Sequence, residues 1–414
     1  MVKNAIRVLA GLSMVSVVSA VDWPSFRGPD HNGISLEKNW LGTWPGGQPK
    51  AVWKKAVGTG YSSMTVADGR LYTLGNAANA DTLYCFDAGT GAEVWKFSYA
   101  QKLDPKYYDG GPSSTPTVAA GKVYSMSKQG DVYCLDAASG RELWHRDVKK
   151  EQGLTEPEWG FAGSPLIDGD RVFLNAGSHG VALDAANGDK VWVSGTAAAG
   201  YSSVIPIIHG GSKALALMGA KALVIVDPKT GGELSRFPWE TQYDVNAPDP
   251  VLVGGDIFIT SGYKFLEGPG TGASGALIRP TAGGLQKVWL SKELASQLST
   301  PVHLNGFLYG ISGNGDRPGQ LRCLDARTGE VKWSSPEAPM GNLMAADGKL
   351  VWLTGNGELI VVAAKPESYQ EISRAQVAGG KVWSAPVMVN GRLYVRNSKG
   401  EVFCVDVKGT GPVS

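Results

Sequence analysis

The sequence predicts an all-β fold, an eight-bladed β-propeller of four-stranded antiparallel blades. Three observations predict it. A nine-residue unit ending in tryptophan recurs at one spacing. A glycine turn between two short strands occurs eight times. A spare strand near the N-terminus matches one missing at the C-terminus. Composition agrees: 56 of 414 residues are glycine and 23 are proline. A glycine share about twice the usual 7% argues against long helices. With 43% hydrophobic residues, the chain can bury a core. Its net charge of +1 gives no long-range attraction to nucleic acid or to an anionic membrane.

Residues 1–20 read as a cleavable secretory signal. Lys3 and Arg7 precede the apolar run 8–18, and the small residue Ala20 marks the cut. A periplasmic or secreted protein is expected, a monomer without a membrane span. No cysteine follows the cut, so no lipid anchor is expected. Residues 21–48 then form an arm, 49–409 a single propeller domain and 410–414 a tail.

The repeat unit is DAGTGAEVW (87–95), DAASGRELW (136–144), DAANGDKVW (184–192) and DARTGEVKW (325–333); DPKTGGELS (227–235) keeps the turn without the tryptophan. The aspartate can accept bonds from the backbone that follows it. The fifth-position glycine can adopt positive φ. Together they specify a tight, bulged hairpin. The tryptophan lies on its second strand, and burying the ring contributes at most about 4–6 kcal/mol.

Upstream of each unit stands a two-strand turn such as VADGRLY, VAAGKVY or VNGRLYV. The turn glycines run from Gly69 to Gly391 at a mean spacing of 46 residues, enough for one blade. The third strands, such as LYCF (83–86) and LVIV (223–226), are apolar without alternation, as when both faces are buried. The eighth unit ends at Asp406-Val407-Lys408-Gly409 without its tryptophan strand. PKAVWKKAV (49–57), carrying Trp53, is predicted to complete that blade and close the ring. Cys85, Cys134, Cys323 and Cys404 each lie two residues before an aspartate. They sample one repeat position in separate blades, too far apart for disulfides. They read as small buried apolar groups, not metal ligands.

All length variation falls in the strand 2–3 loops and the links between blades, which share one face. Functional residues are expected there. Candidates at the axial mouth are the aromatics Tyr61, Tyr107, Trp159, Phe161, Tyr201 and Tyr243, with Tyr108, Asp109, Asp244, Asn246 and Tyr263 nearby. Aromatics with a few amides and acids suit a planar cofactor, a sugar or a peptide. No catalytic residue stands out. The five histidines are scattered, and HExxH and GxSxG are absent. GTGASG (270–275) matches GxGxxG but has no following helix to hold a phosphate, so it reads as a loop.

The tryptophan units across 49–409 resemble the pyrroloquinoline-quinone (PQQ) repeat propellers, the quinoprotein alcohol dehydrogenase-like group. DWPSFRGPDHNGIS (22–35), LDPKYYDGGPSSTPTV, WGFAGSPL, FPWETQYDVNAPDP and APVMVNGRLYVRNSKGEVFCVD resemble a secreted bacterial branch, the PQQ-binding-like repeat proteins. Some of that branch are polyvinyl-alcohol dehydrogenase-like. The resemblance implies two kinds of function. Quinoprotein dehydrogenases hold PQQ and calcium at the mouth of an eight-bladed ring. On that pattern PQQ would stack on Trp159, and Ca²⁺ would bind Asp244 and Asn246. The adjacent cysteine pair of many such enzymes is absent here. The other relative is the propeller lipoprotein of the outer-membrane β-barrel assembly machinery, a protein-binding scaffold of similar length, whose lipid-bearing cysteine is also absent. The expectation is an exported binding scaffold for an envelope protein or small ligand. The alternative is a PQQ- and Ca²⁺-dependent dehydrogenase of alcohols or sugars.

Overall fold

Each repeat hairpin is closed by its own aspartate. Asp87 Oδ1 accepts from the Thr90 amide at 2.8 Å and the Thr90 hydroxyl at 2.7 Å, and Asp136 does the same with Ser139. The fifth-position glycines Gly91 and Gly140 have φ of +70° and +72°. Six of the eight strand 1–2 turns place two successive residues at positive φ, as at Asp68 (50°) and Gly69 (71°). That geometry follows the twist of the flanking strands. In most blades the residue before the tryptophan position is bulged, as the register shift between Glu142 and Trp144 shows.

The computed structural model describes residues 22–263, 272–315 and 317–409. The signal reading of 1–20, the 410–414 tail and the first residues of GTGASG lie outside the described residues. Eight antiparallel sheets form eight blades: 65–100, 117–147, 166–193, 205–238, 251–291, 302–334, 342–376 and 387–406 with the closing strand. Lys50–Ala56 pairs with Glu401–Asp406 and sets Trp53 opposite Cys404, so the predicted closure holds. First strands are innermost and touch their neighbours around the axis. One helix, Val148–Gln152, follows blade 2. No described helix is long and apolar enough to cross a membrane.

The core repeats one cross-strand triple. Cys85 faces Tyr72 on one side and Trp95 on the other; Cys134 lies likewise between Tyr124 and Trp144, Cys323 between Tyr309 and Trp333, and Cys404 between Tyr394 and Trp53. The flanking rings lie 5.8–6.0 Å apart. A small side chain is what that gap admits. All four thiols are free and buried, as expected.

Each tryptophan also reaches the next blade. Trp95 Nε1 donates to Ala137 O at 3.0 Å, and its ring packs on Gly140, where an added Cβ would lie 2.6 Å away. Trp53, Trp144, Trp192 and Trp289 repeat this on Gly91, Gly188, Gly231 and Gly329. Blade 4 carries Ser235 in place of the ring, and blade 5 has no aspartate hairpin to receive one. Both halves of the lock are lost together, and the fourth strands of these blades pack directly on each other.

The arm lies across the turn face and stoppers the axis. Trp23 pairs with Val66 of blade 1, Pro24 O accepts from Val118 of blade 2, and Ile34–Ser35 adds in parallel to Ala345–Ala346 of blade 7. Glu37 caps the amides of Asn390 and Gly391 in blade 8. Between these contacts Arg27, 3% exposed, enters the channel and donates to Thr300 O and Pro301 O, both at 2.8 Å. Burial lowers its pKa to about 10, opposed by Asp249, so it stays charged at neutral pH. Where blade 7 has Ser373 at the tryptophan position, the arm fills the gap. The Ser373 hydroxyl donates to Gly42 O, and Trp40 and Trp44 join the core cluster between blades 7 and 8.

Two predictions follow from the locks. Gly121→Ala, in an open turn at φ +72°, should cost about 1–2 kcal/mol of left-handed strain. Gly140→Ala, at the same φ, should cost about 1–3 kcal/mol more from overpacking against Trp95. Urea titrations of the two variants measure the difference. Deleting Lys50–Ala56 should lower the melting temperature of the whole ring in one transition, read by calorimetry.

Candidate functional site

At the loop-face end of the axis, each first strand is preceded by a small polar residue that the previous blade uses. The Ser63 amide donates to Thr115 Oγ1 at 3.0 Å, Thr115 to Ser164 Oγ at 3.0 Å, and Ser164 to Ser203 Oγ at 3.1 Å. Ser203 donates to Asp249 Oδ1 at 2.7 Å, and Asp249 to Thr300 Oγ1 at 2.9 Å. This chain of bonds winds around the axis over blades 1 to 6. Asp249 brings a carboxylate to a position where the others carry hydroxyls. Its Oδ2 has no hydrogen-bond partner, and burial raises its pKa while the Arg27 charge lowers it. The ring and the arm together block the axis, so a ligand can approach the mouth only from the loop face.

Above the ring, side chains from blades 8, 1 and 2 form a ladder. Lys381 Nζ sits 4.5 Å over the Trp383 ring, which stacks on Tyr61 at 5.1 Å and 29°. Tyr61 meets Tyr108 at 5.5 Å, and Lys128 Nζ lies 5.1 Å over Tyr108. The Tyr61 hydroxyl donates to Asp109 at 2.8 Å, which holds the Asp109 carboxyl below the usual range. Lys128 also bonds Asp104 at 3.2 Å. Beside the ladder is a depression of about 290 Å³ lined by Met340, Asn356, Gly380, Lys381 and Trp383. Sequence reasoning found Tyr61, Tyr108 and Asp109 but missed Trp383, Lys381 and Lys128. The available signal was position: Trp383 directly precedes Ser384, in the slot before a first strand.

The other expected mouth residues are dispersed. Trp159 and Tyr201 meet edge to face at 5.9 Å on blade 3's side. Tyr243 pairs with Tyr263 at 5.6 Å and is 64% exposed. Tyr107 stands 97% exposed, pointing away from the ladder's contacts. Phe161, expected at the mouth, lies in the core between blades 2 and 3, because it follows a glycine turn that carries it inward. Asn246 is fully buried: its amide donates to Gly219 O, Ala220 O and Trp239 O, and its oxygen accepts from Thr241.

The ladder rings and Asn246 do not fit a quinone with its cation, while Trp159, the expected stacking ring, has only the edge-to-face contact with Tyr201 among the described rings. Tyr61 has neighbours on both sides, and Trp383 lies between Lys381 and Tyr61, so neither offers an open face. Asn246 has no group left for a metal beside Asp244. No cluster of three or more His, Cys, Asp or Glu side chains occurs among the described residues.

Residues 79–335 match the family described as outer membrane protein assembly factor BamB. No curated protein matches the sequence. Among solved structures, BamB from Moraxella catarrhalis is 16% identical and covers 87% of this chain and 100% of its own, at a TM-score of 0.60. Quinohemoprotein alcohol dehydrogenase from Comamonas testosteroni is also 16% identical, covering 95% of this chain and 82% of its own at 0.67. A europium-containing methanol dehydrogenase is 13% identical, covering 93% and 89% at 0.64. At these identities the likeness is one of fold.

Under the ladder lies Asp81, fully buried, whose Oδ1 accepts from Asn76 at 2.7 Å. Burial raises its pKa to about 6, against the pull of Asn76, Tyr99, Lys128 and Arg396. A folded-state pKa above the unfolded 3.8 means that the ionised group costs stability at higher pH. That cost is relieved as pH falls through about 6. Asp81→Asn should therefore raise the melting temperature most at pH 8, less at pH 4.5, and leave it nearly unchanged near pH 3; thermal scans at the three pH values check this.

Proposed function

The chain belongs to the propeller family described as outer membrane protein assembly factor BamB, and on that premise we propose that it is an exported protein-binding scaffold that engages an envelope protein through its loop face. The observation that carries this reading is the ladder from Lys381 to Lys128. Its rings are already packed on one another, so what it offers outward is ring edges and the exposed Asp109 carboxylate, with the Lys128 ammonium buried against Asp104 beneath. That surface suits protein contact, in which aromatics and charges supply anchors and orientation. A planar cofactor would need a free aromatic face and a cluster of cation ligands. With the axis stoppered by Arg27, a partner is held on the surface and not in a through-channel.

The test compares both function classes on the purified protein. With added PQQ and Ca²⁺, no dye-linked alcohol oxidation and no melting shift are expected. An immobilised column should retain a partner from envelope extract. Lys381→Glu on the loop face should reduce that retention about tenfold, while Arg141→Glu in a turn-face hairpin should not. PQQ-dependent oxidation, or retention indifferent to Lys381→Glu, would overturn the proposal.

A further inference from the structure

The arm reveals a use for the inner edges of the blades. The middle residue of each first strand turns its backbone N–H and C=O toward the axis, where no further strand of its own blade exists. In one half of the ring the arm takes up these groups. Val66 N–H donates to Trp23 O at 2.9 Å, and Val66 O accepts from the Trp23 N–H at 2.7 Å; Val118 N–H donates to Pro24 O at 2.8 Å; Ala345 N–H donates to Gly33 O at 2.9 Å. On blade 8, Met388 O accepts from Ser35 Oγ at 3.2 Å. Val66, Ala345 and Met388 are at most 1% exposed beneath it.

The other half lacks the arm, and the only side chain against these backbone groups there, among the described residues, is the His303 ring, which bonds the Leu252 carbonyl and leaves the Leu252 N–H open. The equivalent positions are Ile167, Ile208, Leu252 and His303. The amides of Ile167, Leu252 and His303 meet no acceptor among the described residues. Leu252 is 41% exposed, and Ile208, at the end of blade 4's first strand, is 66% exposed. One residue beyond Leu252 begins a depression of about 250 Å³, walled by Val253, Leu277, Val288 and His303 and rimmed by the Asp256–Arg279 ion pair and Arg327.

We propose that this uncovered half is a second docking face, which receives an extended, aliphatic segment of a partner protein as an added strand, continuing the layer that the arm begins. The arm shows what chemistry the ring accepts: single strand bridges to the middle residues, with apolar side chains seated between them. The open amides call for carbonyl acceptors, which a helix has already spent on itself and an extended chain supplies. Ile208 holds the equivalent position on blade 4, so the segment runs across blades 3 to 6 past Ile167, Ile208, Leu252 and His303. The depression beside Leu252 takes one of its side chains. This face lies opposite the loop face, so a scaffold with both would hold two partners apart.

The experiment uses the full chain in its native envelope, with a benzophenone photoprobe at position 252. The expected result is an adduct whose mapped partner residue lies in an extended aliphatic segment of another protein. Ile208→Asp should reduce its yield about tenfold without changing the melting temperature. In the isolated protein the Leu252 and His303 amides should exchange with deuterium quickly, and Val66 and Ala345 slowly. In the purified adduct the first two should become protected. Lys381→Glu should leave the adduct intact, which separates this proposal from the loop-face reading. No adduct, an adduct to a second copy of this chain or to a helix, or protection of Leu252 in the isolated protein would each overturn the proposal.

Discussion

The seating of a tryptophan ring on a glycine of the next blade is the contact on which the ring depends. It works because three small features coincide. The bulge before the tryptophan turns its ring toward the next blade. The cysteine or other compact residue opposite leaves room beside the ring of the second strand. The left-handed glycine of the receiving hairpin has no Cβ to obstruct it. The indole N–H then finds the carbonyl just after the hairpin's aspartate. In three blades the second-strand tyrosine hydroxyl bonds that same carbonyl. Every such contact joins one blade to the next, so the lock is directional. Five such locks, with the substitutes at the remaining junctions, must add up to a full turn, and closure tolerates little error in any of them.

Two buried arginines stand where the repeat is broken. Arg396 takes a position that is occupied by Met126 in blade 2 and Leu74 in blade 1. It lies at the closing seam and donates to Gly58 O and Ser62 O on the segment entering blade 1 and to Thr73 Oγ1 and Leu74 O on that blade's second strand. Burial lowers its pKa to about 9, and several carbonyl dipoles replace the water it lost. Arg27 does at the axis what Arg396 does at the seam. In both places a charge with multiple acceptors specifies one arrangement of segments that the repeat itself leaves undefined.

The repeat was fully legible in sequence because its physics is local and periodic. Aspartate, glycine and tryptophan stand at fixed offsets, and Trp53 at the front answers a missing strand at the back. The arm was legible only as a stretch outside the repeat. Nothing periodic marks Arg27, whose acceptors at the axis, Thr300 O and Pro301 O, are more than 270 positions away. The mouth was read from loop position alone, which found Tyr61 and Tyr108. It also promoted Phe161, which turns inward, and Asn246, which spends its amide on three carbonyls. Trp383 and Lys381 escaped notice because their partners lie on blades 1 and 2, across the closing seam. Side-chain partners set by ring closure leave no spacing in the sequence.

The position of Arg27 also has a consequence for time. The arm is made before any blade, yet its guanidinium binds carbonyls at Thr300 and Pro301, and its strand adds to Ala345. Those residues leave the ribosome only after nearly three quarters of the chain. Until then the arm has no site, and the early blades have an open axis and an unsatisfied first edge. Assembly must therefore finish where synthesis began. The slow step of folding would be the return of the first segment to the last blades, a long-range search whose entropy no local hairpin can reduce.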